Sequence, residues 1–124
     1  MKVYVNDAGP FDFIFDTGAS MTVISPATAL AAGIGEGGRK AKALGAKGHL
    51  DARVVRLRSL RIGSIETSNI AGAIMSMASL NRSMRLRLGG IIGYNLLRRY
   101  RLTIDYPKRR VWLECPSNRT KRRL

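Results

Sequence analysis

Phe13-Ile14-Phe15-Asp16-Thr17-Gly18-Ala19-Ser20 begins as an apolar, strand-like run and breaks into an aspartate followed by four small or polar residues. Strand character resumes at Met21 to Ile24, so the break reads as a loop held between two apolar strands. Gly18 lets the backbone turn sharply and approach closely, which a side chain would block. Thr17 carries a hydroxyl that can be lent to a partner backbone. A carboxylate at the tip of a loop braced by a dry core is a candidate acid or base. The plainer reading, the default for an isolated Asp-Thr-Gly, is a turn aspartate that caps local backbone.

The flanking sequence repeats short strand patterns. Lys2 to Val5 and Phe11 to Phe15 are strand-like runs split by the turn formers Asn6-Asp7-Ala8-Gly9-Pro10, which predicts a hairpin. Ser25-Pro26 reads as an N-cap with proline at the first helical position, and Ala27 to Ala32 continues as a short helix ending at Gly33. Gly33 to Gly48 is rich in glycine and lysine without helical period and suits a mobile loop or hairpin. Val54 to Ile62 alternates, with Val55 and Leu57 set against Arg56, Arg58 and Arg61, as in a half-buried strand with a basic outer face. After a Gly63-Ser64 turn, Ile65 to Met75 is another strand. Ala78 to Leu88 reads as loop with some helix, Gly90 to Gly93 as a short apolar run, and Asn95 to Tyr100 as a short helix. Leu102 to Tyr106 and Val111 to Leu113 form a last hairpin around Pro107-Lys108-Arg109-Arg110. Many short strands with one or two brief helices predict a mostly-β barrel or sandwich.

Composition narrows the functional classes. With 124 residues the chain fits one domain, here drawn as 1–115 with a basic tail at 116–124, and its 45% hydrophobic content argues against disorder despite a net charge of +14. Cys115 is the single cysteine, so no intrachain disulfide and no cysteine-based zinc site can form. The most apolar stretch, Ile70 to Leu80, falls short of the roughly 20 residues that span a bilayer, and no basic start followed by an apolar run is visible. The chain as given therefore reads as soluble and cytoplasmic. Because it starts directly in a strand, an upstream anchor or signal in a longer product stays open.

Two segments together carry a family resemblance. Phe13 to Ser20 resembles the active-site signature of retropepsin-like aspartic proteases, and Ile91-Ile92-Gly93-Tyr94-Asn95-Leu96-Leu97 resembles the second signature: two hydrophobics, a glycine, then a short helix. The similarity is closer to bacterial single-domain members, which share the alanine-rich helix after the active site and an ending like Leu102-Thr103-Ile104-Asp105-Tyr106; it covers nearly the whole chain. The resemblance implies a closed β-barrel with one or two short helices that works as a two-fold homodimer on peptide or protein substrates, with no metal or organic cofactor. It makes Asp16 the catalytic acid/base, one from each subunit, with Thr17 and Gly18 shaping and cross-linking the two loops. Ala19, Leu44, Gly45, Ala46, Gly48, Ile91 and Ile92 become substrate-binding residues. Ala43 to Gly48 falls where the family places its flap, here without an aromatic residue and with Lys42 and Lys47 nearby. Gly90 stands where similar bacterial members often carry aspartate.

Chemistry agrees with the dimer. Hydrolysis of this kind needs one carboxylate to activate water and another to protonate the carbonyl oxygen, and two acids about 3 Å apart share a proton and divide the roles. Only one Asp-Thr-Gly is present, so the second carboxylate must come from a second copy. Other features read as structural. Gly33 to Gly38 matches a dinucleotide fingerprint, but with a helix before it and a basic loop after it, the reverse of what that motif needs. His49 is a lone histidine; Asp105, among arginines, reads as a structural ion pair. Asn81-Arg82-Ser83 and Asn118-Arg119-Thr120 match glycosylation acceptors without a secretory signal. Ten of the 22 basic residues lie from Arg98 onward. That tail suits nucleic acid or an acidic partner, yet no aromatic platform interleaves with the charges, which reads more simply as a solvated face. The rival function from another class is a catalytically inactive module of the same fold that binds peptides or polyanions through its basic face.

Overall fold

Two residues in left-handed backbone start the fold. In the computed structural model, β1 (Lys2–Val5) turns into β2 (Ala8–Phe15) through Asn6 and Asp7, with φ of 48° and 68°. A two-residue turn with both φ positive matches the twist of the strands it joins. The hairpin is therefore tighter than the Asn6–Pro10 cluster predicts, and Ala8, Gly9 and Pro10 already belong to β2. The structure describes residues 1–35, 39–45, 48–114 and 121–123, with side chains described for 1–35 and 52–114.

The remaining elements are β3 (Thr22–Ile24), α1 (Pro26–Ala31), β4 (Arg39–Gly45), β5 (Gly48–Ile62), β6 (Ile65–Ile74), α2 (Ala78–Met84), β7 (Gly90–Ile92), α3 (Tyr94–Leu97), β8 (Arg101–Asp105), β9 (Arg110–Glu114) and β10 (Lys121–Arg123). The main sheet runs β1-β2-β7-β3-β6-β5-β4, and β5 also returns to β1 through Val3↔Ile62 and Val5↔Leu60. Six strands thus close into a barrel, which decides between the two architectures the strand pattern allows. β4 stays outside the ring, antiparallel to the first part of β5 from Arg39↔Val54 to Gly45↔Gly48. β8, β9 and β10 form a second small sheet, in which Lys121 pairs with Glu114 and Arg123 with Trp112.

Alternation along the strands fills the barrel. Val3, Val5, Phe13, Ile24, Leu57, Leu60, Ile70, Ile92, Leu96 and Leu113 are each no more than 1% exposed and belong to one cluster. Leu113 ties the small sheet to this core. α1 begins as its sequence predicts: the Ser25 hydroxyl accepts the amide of Thr28 at 3.1 Å, with Pro26 at the first helical position, and Gly33 follows the helix at φ 73°. Among the described residues no helix is long and apolar enough to cross a membrane.

Two measurements check this account. Leu57→Ala empties a fully buried site and is expected to cost about 2–5 kcal/mol in denaturant unfolding, whereas Leu30→Ala, at a site 81% exposed, should stay within about 0.5 kcal/mol. On the surface, the Lys2 ammonium hydrogen-bonds Asp12 at 2.7 Å and holds its carboxyl below the ordinary range. The contribution of that pair is present at neutral pH and is lost as pH falls through the depressed value. Lys2→Ala should move the Asp12 titration upward in a carboxyl NMR titration.

Candidate active site

Strand order creates the site. β2 and β3 are consecutive in sequence but are not neighbours, because β7 lies between them, parallel to β2 (Ile14↔Ile91, Phe15↔Ile92) and antiparallel to β3 (Val23↔Ile91). The segment 16–21 must therefore cross the end of β7, a step of two strand spacings, or about 10 Å. Asp16 sits at the start of this crossing. Its amide donates to Ile92 O at 3.0 Å, so the end of β2 remains tied to β7 up to the aspartate itself.

The crossing is held at each step. The Asp16 Oδ1 atom accepts the Gly18 amide at 2.9 Å, and Ala19 N donates to Asp16 O at 3.1 Å, closing a tight turn. Tyr94 N donates to Ala19 O at 2.7 Å, and Asn95 N to Ser20 O at 3.2 Å, which fastens the second half of the loop to the start of α3. Asp16, Thr17 and Gly18 are exposed and Ala19 is half-buried. The result is a carboxylate presented to solvent on a backbone whose hydrogen bonds run into the barrel.

Gly93 makes the crossing sterically feasible. A Cβ there would lie 2.4 Å from the carbonyl carbon and oxygen of Met21 and 2.8 Å from Thr22 N. The chain passes directly over this residue, and only hydrogen fits. Gly90 is constrained in the same way: a Cβ would meet the Phe13 ring at 2.3 Å and Val23 O at 2.5 Å. The Phe13 ring therefore occupies the volume that an aspartate at position 90 would need.

A buried polar network stands beneath the loop, and the sequence reading did not assign it. Thr22 is fully buried; its amide and hydroxyl both donate to Asn95 Oδ1, at 2.8 and 3.0 Å, and its oxygen accepts Gly93 N at 3.1 Å. Asn95 Nδ2 donates to Ala71 O of β6 at 2.7 Å. One side-chain amide thus joins β3, β6 and α3. Its orientation follows from its partners, since Thr22 N can only donate and Ala71 O can only accept. The available signal was an amide side chain on a short apolar helix two residues after an obligatory glycine.

The expected residues divide among these surroundings. Asp16, Thr17, Gly18 and Ala19 share the loop, and Ile91 is half-buried on the strand beside it. Ile92, expected as a cleft wall, points the other way: it is fully buried in the core cluster, because strand side chains alternate and Ile91 takes the opposite face. The expected flap coincides with the β4–β5 hairpin, with Leu44 opposite His49 and Gly45 opposite Gly48. Ala46 and Lys47 lie outside the described residues, as do the side chains of Leu44 and His49. Asp105 differs as well: its carboxylate accepts Lys108 N at 3.3 Å within a turn, and among the described residues it forms no ion pair.

The comparisons with known proteins point the same way. Residues 1–96 match the sequence family described as aspartyl protease. The chain is similar to the crystal structure of a retropepsin-like aspartic protease from Rickettsia conorii, 25% identical, covering 100% of this chain and 83% of that one at a TM-score of 0.69. It is similar in fold to the retroviral protease-like domain of Ddi1 from Leishmania major, 15% identical, covering 90% of this chain and 84% of that one at a TM-score of 0.63. No curated protein matches it in sequence.

The network under the loop gives a direct test. Asn95→Ala leaves the Thr22 amide and hydroxyl and the Ala71 carbonyl without their partner, at about 1–3 kcal/mol for each group stranded from water. The variant is expected to lower the thermal midpoint by several degrees or more, while Asn81→Ala, which removes two bonds to Leu88 remote from the crossing, should leave the Asp16 loop resonances in place.

Proposed function

We propose, for a chain that belongs to the aspartyl protease family, that it is an endopeptidase whose catalytic centre forms when two identical copies bring their Asp16 side chains together. The observation that carries this reading is the exposed Asp16 carboxylate on a loop bonded at Asp16, Ala19 and Ser20 to the barrel beneath it. Such a loop fixes the position of the acid before substrate arrives. A single chain supplies one Asp-Thr-Gly, and a two-fold axis past the loop tips supplies the second.

In the paired site the two carboxylates hold one proton and one water between them. The ionised Asp16 takes a proton from the water as its oxygen attacks the peptide carbonyl carbon. The protonated Asp16 of the other copy gives its proton to the carbonyl oxygen, so a neutral tetrahedral diol forms with no full charge on oxygen. The Asp16 that took the water proton then gives it to the amide nitrogen, while the other, now ionised, takes a proton from a diol hydroxyl. The carbon–nitrogen bond breaks, acid and amine leave, and the pair again holds one proton. Gly18 N–H, bonded to Oδ1, orients each carboxylate for these transfers.

Substrate would lie extended between the copies and hydrogen-bond through its main chain, as a strand adds to a sheet. The β4–β5 hairpin, with Leu44, Gly45 and Gly48 near its end, is the segment suited to fold over it and exclude water. Half-buried Ile91 beside Asp16 favours apolar side chains near the scissile bond. No step calls for a metal or an organic cofactor.

Asp16→Asn keeps the shape and removes the ionisable group. It is expected to lower cleavage of a peptide library by about 10³-fold or more while leaving the oligomeric state and thermal midpoint unchanged. A hydroxyl-containing transition-state mimic of the pepstatin type should inhibit the wild type, because it places its hydroxyl between the paired carboxylates. Cleavage retained in Asp16→Asn would overturn the mechanism, and peptide binding without cleavage by a wild-type dimer would favour the inactive binding module.

A further inference from the structure

Two copies of a chain carrying +14 repel one another, so any contact between them must be built where uncharged surface is available. The exposed large hydrophobic side chains among the described residues are Leu30, Met84, Leu86, Tyr94, Ile104 and Tyr106. Leu30 is on α1, Met84 and Leu86 end and follow α2, and Ile104 and Tyr106 belong to the β8 end of the small sheet. Tyr94 alone among them is bonded to the Asp16 loop: its amide donates to Ala19 O at 2.7 Å. It also follows by two residues Ile92, whose carbonyl accepts the Asp16 amide at 3.0 Å. That connection keeps the Tyr94 backbone within about 10 Å of Asp16, yet the side chain is 55% exposed.

We infer that Tyr94 is an anchor of the interface between two copies of this chain. The inference rests on the paired-Asp16 reading, since an axis that brings two Asp16 carboxylates together also brings the Tyr94 backbone of both copies close to the joint. A tyrosine suits this place: it covers a large area with few rotamers to fix, and its hydroxyl can remain hydrated at the rim. Being neutral, it adds contact without adding to the repulsion. Arg98, one helical turn further on and exposed, lies on the same side of α3, where the electron-rich face of a tyrosine ring from the second copy can meet it.

Sedimentation equilibrium tests this without reference to catalysis. Tyr94→Ala is expected to raise the dimer dissociation constant about ten-fold or more, with the circular dichroism spectrum unchanged. Tyr94→Lys should weaken the dimer further, and added salt should recover part of the loss, because the new charges face each other across the axis. Cleavage by Tyr94→Ala should vanish at low protein concentration and return at high concentration, a split that a substrate-contacting residue would not produce. A dimer constant equal to wild type in both variants overturns the role of Tyr94 and leaves the paired-carboxylate reading standing. Asp16→Asn in parallel keeps the two apart: a dimeric Asp16→Asn that still cleaves defeats the mechanism, whatever Tyr94 does to assembly.

Discussion

The position of β7 between two strands that follow one another in sequence is the constraint from which the rest of the structure follows. β2 and β3 cannot pair while β7 separates them, so their connection has to bridge its end. A bridging segment over a strand end has few backbone partners of its own, and buried or half-buried polar groups need them. They come from Ile92 O and from the amides of Tyr94 and Asn95, while the Asn95 side chain fixes Thr22, where β3 resumes. Position 93 pays for the crossing by having no side chain. The candidate catalytic aspartate is placed where this bridge begins, which is why its exposure coexists with a fixed backbone.

Much of this was legible from pattern. Alternation in Val54 to Ile62 predicted a strand with a basic outer face, and Arg56 and Arg58 are exposed on either side of buried Leu57. Ser25-Pro26 and Gly33 marked both ends of α1. The strands whose extent was underestimated are those fixed by pairing: β5 begins at Gly48, six residues before Val54, because β4 supplies a partner along that whole stretch. Lysine and glycine in Arg39 to Gly45 hide that partner, since neither favours a strand by itself. The turn at Asn6 and Asp7 was over-read for a related reason. Gly9 and Pro10 look like turn residues in isolation, but β1 draws them into β2.

Roles inside the site divide along the same line. Asp16 stood out through its neighbours in sequence, whereas Thr22 and Asn95, 73 residues apart, are related only through the topology. The side-chain direction of Ile92 likewise depends on which face of β7 meets the core, and two adjacent isoleucines do not reveal that. Gly90 shows how pairwise such choices are. Its hydrogen is required by the Phe13 ring, so the identity of one position sets what the other can hold.

The length of β5 has a consequence for how this chain can change. One unbroken strand of 15 residues pairs with β4 over its first part, β6 over its later part and β1 at its end. An added or deleted residue at the start of Val54 to Ile62 would turn Leu57 outward and Arg56 and Arg58 inward beyond the lesion, and would break register with two partners, β6 and β1, at once. Variation in length is therefore channelled toward the connections, while the strand behaves as a ruler whose divisions cannot be moved. Descendants of this sequence could lengthen or reshape the hairpin arm only while keeping that ruler intact.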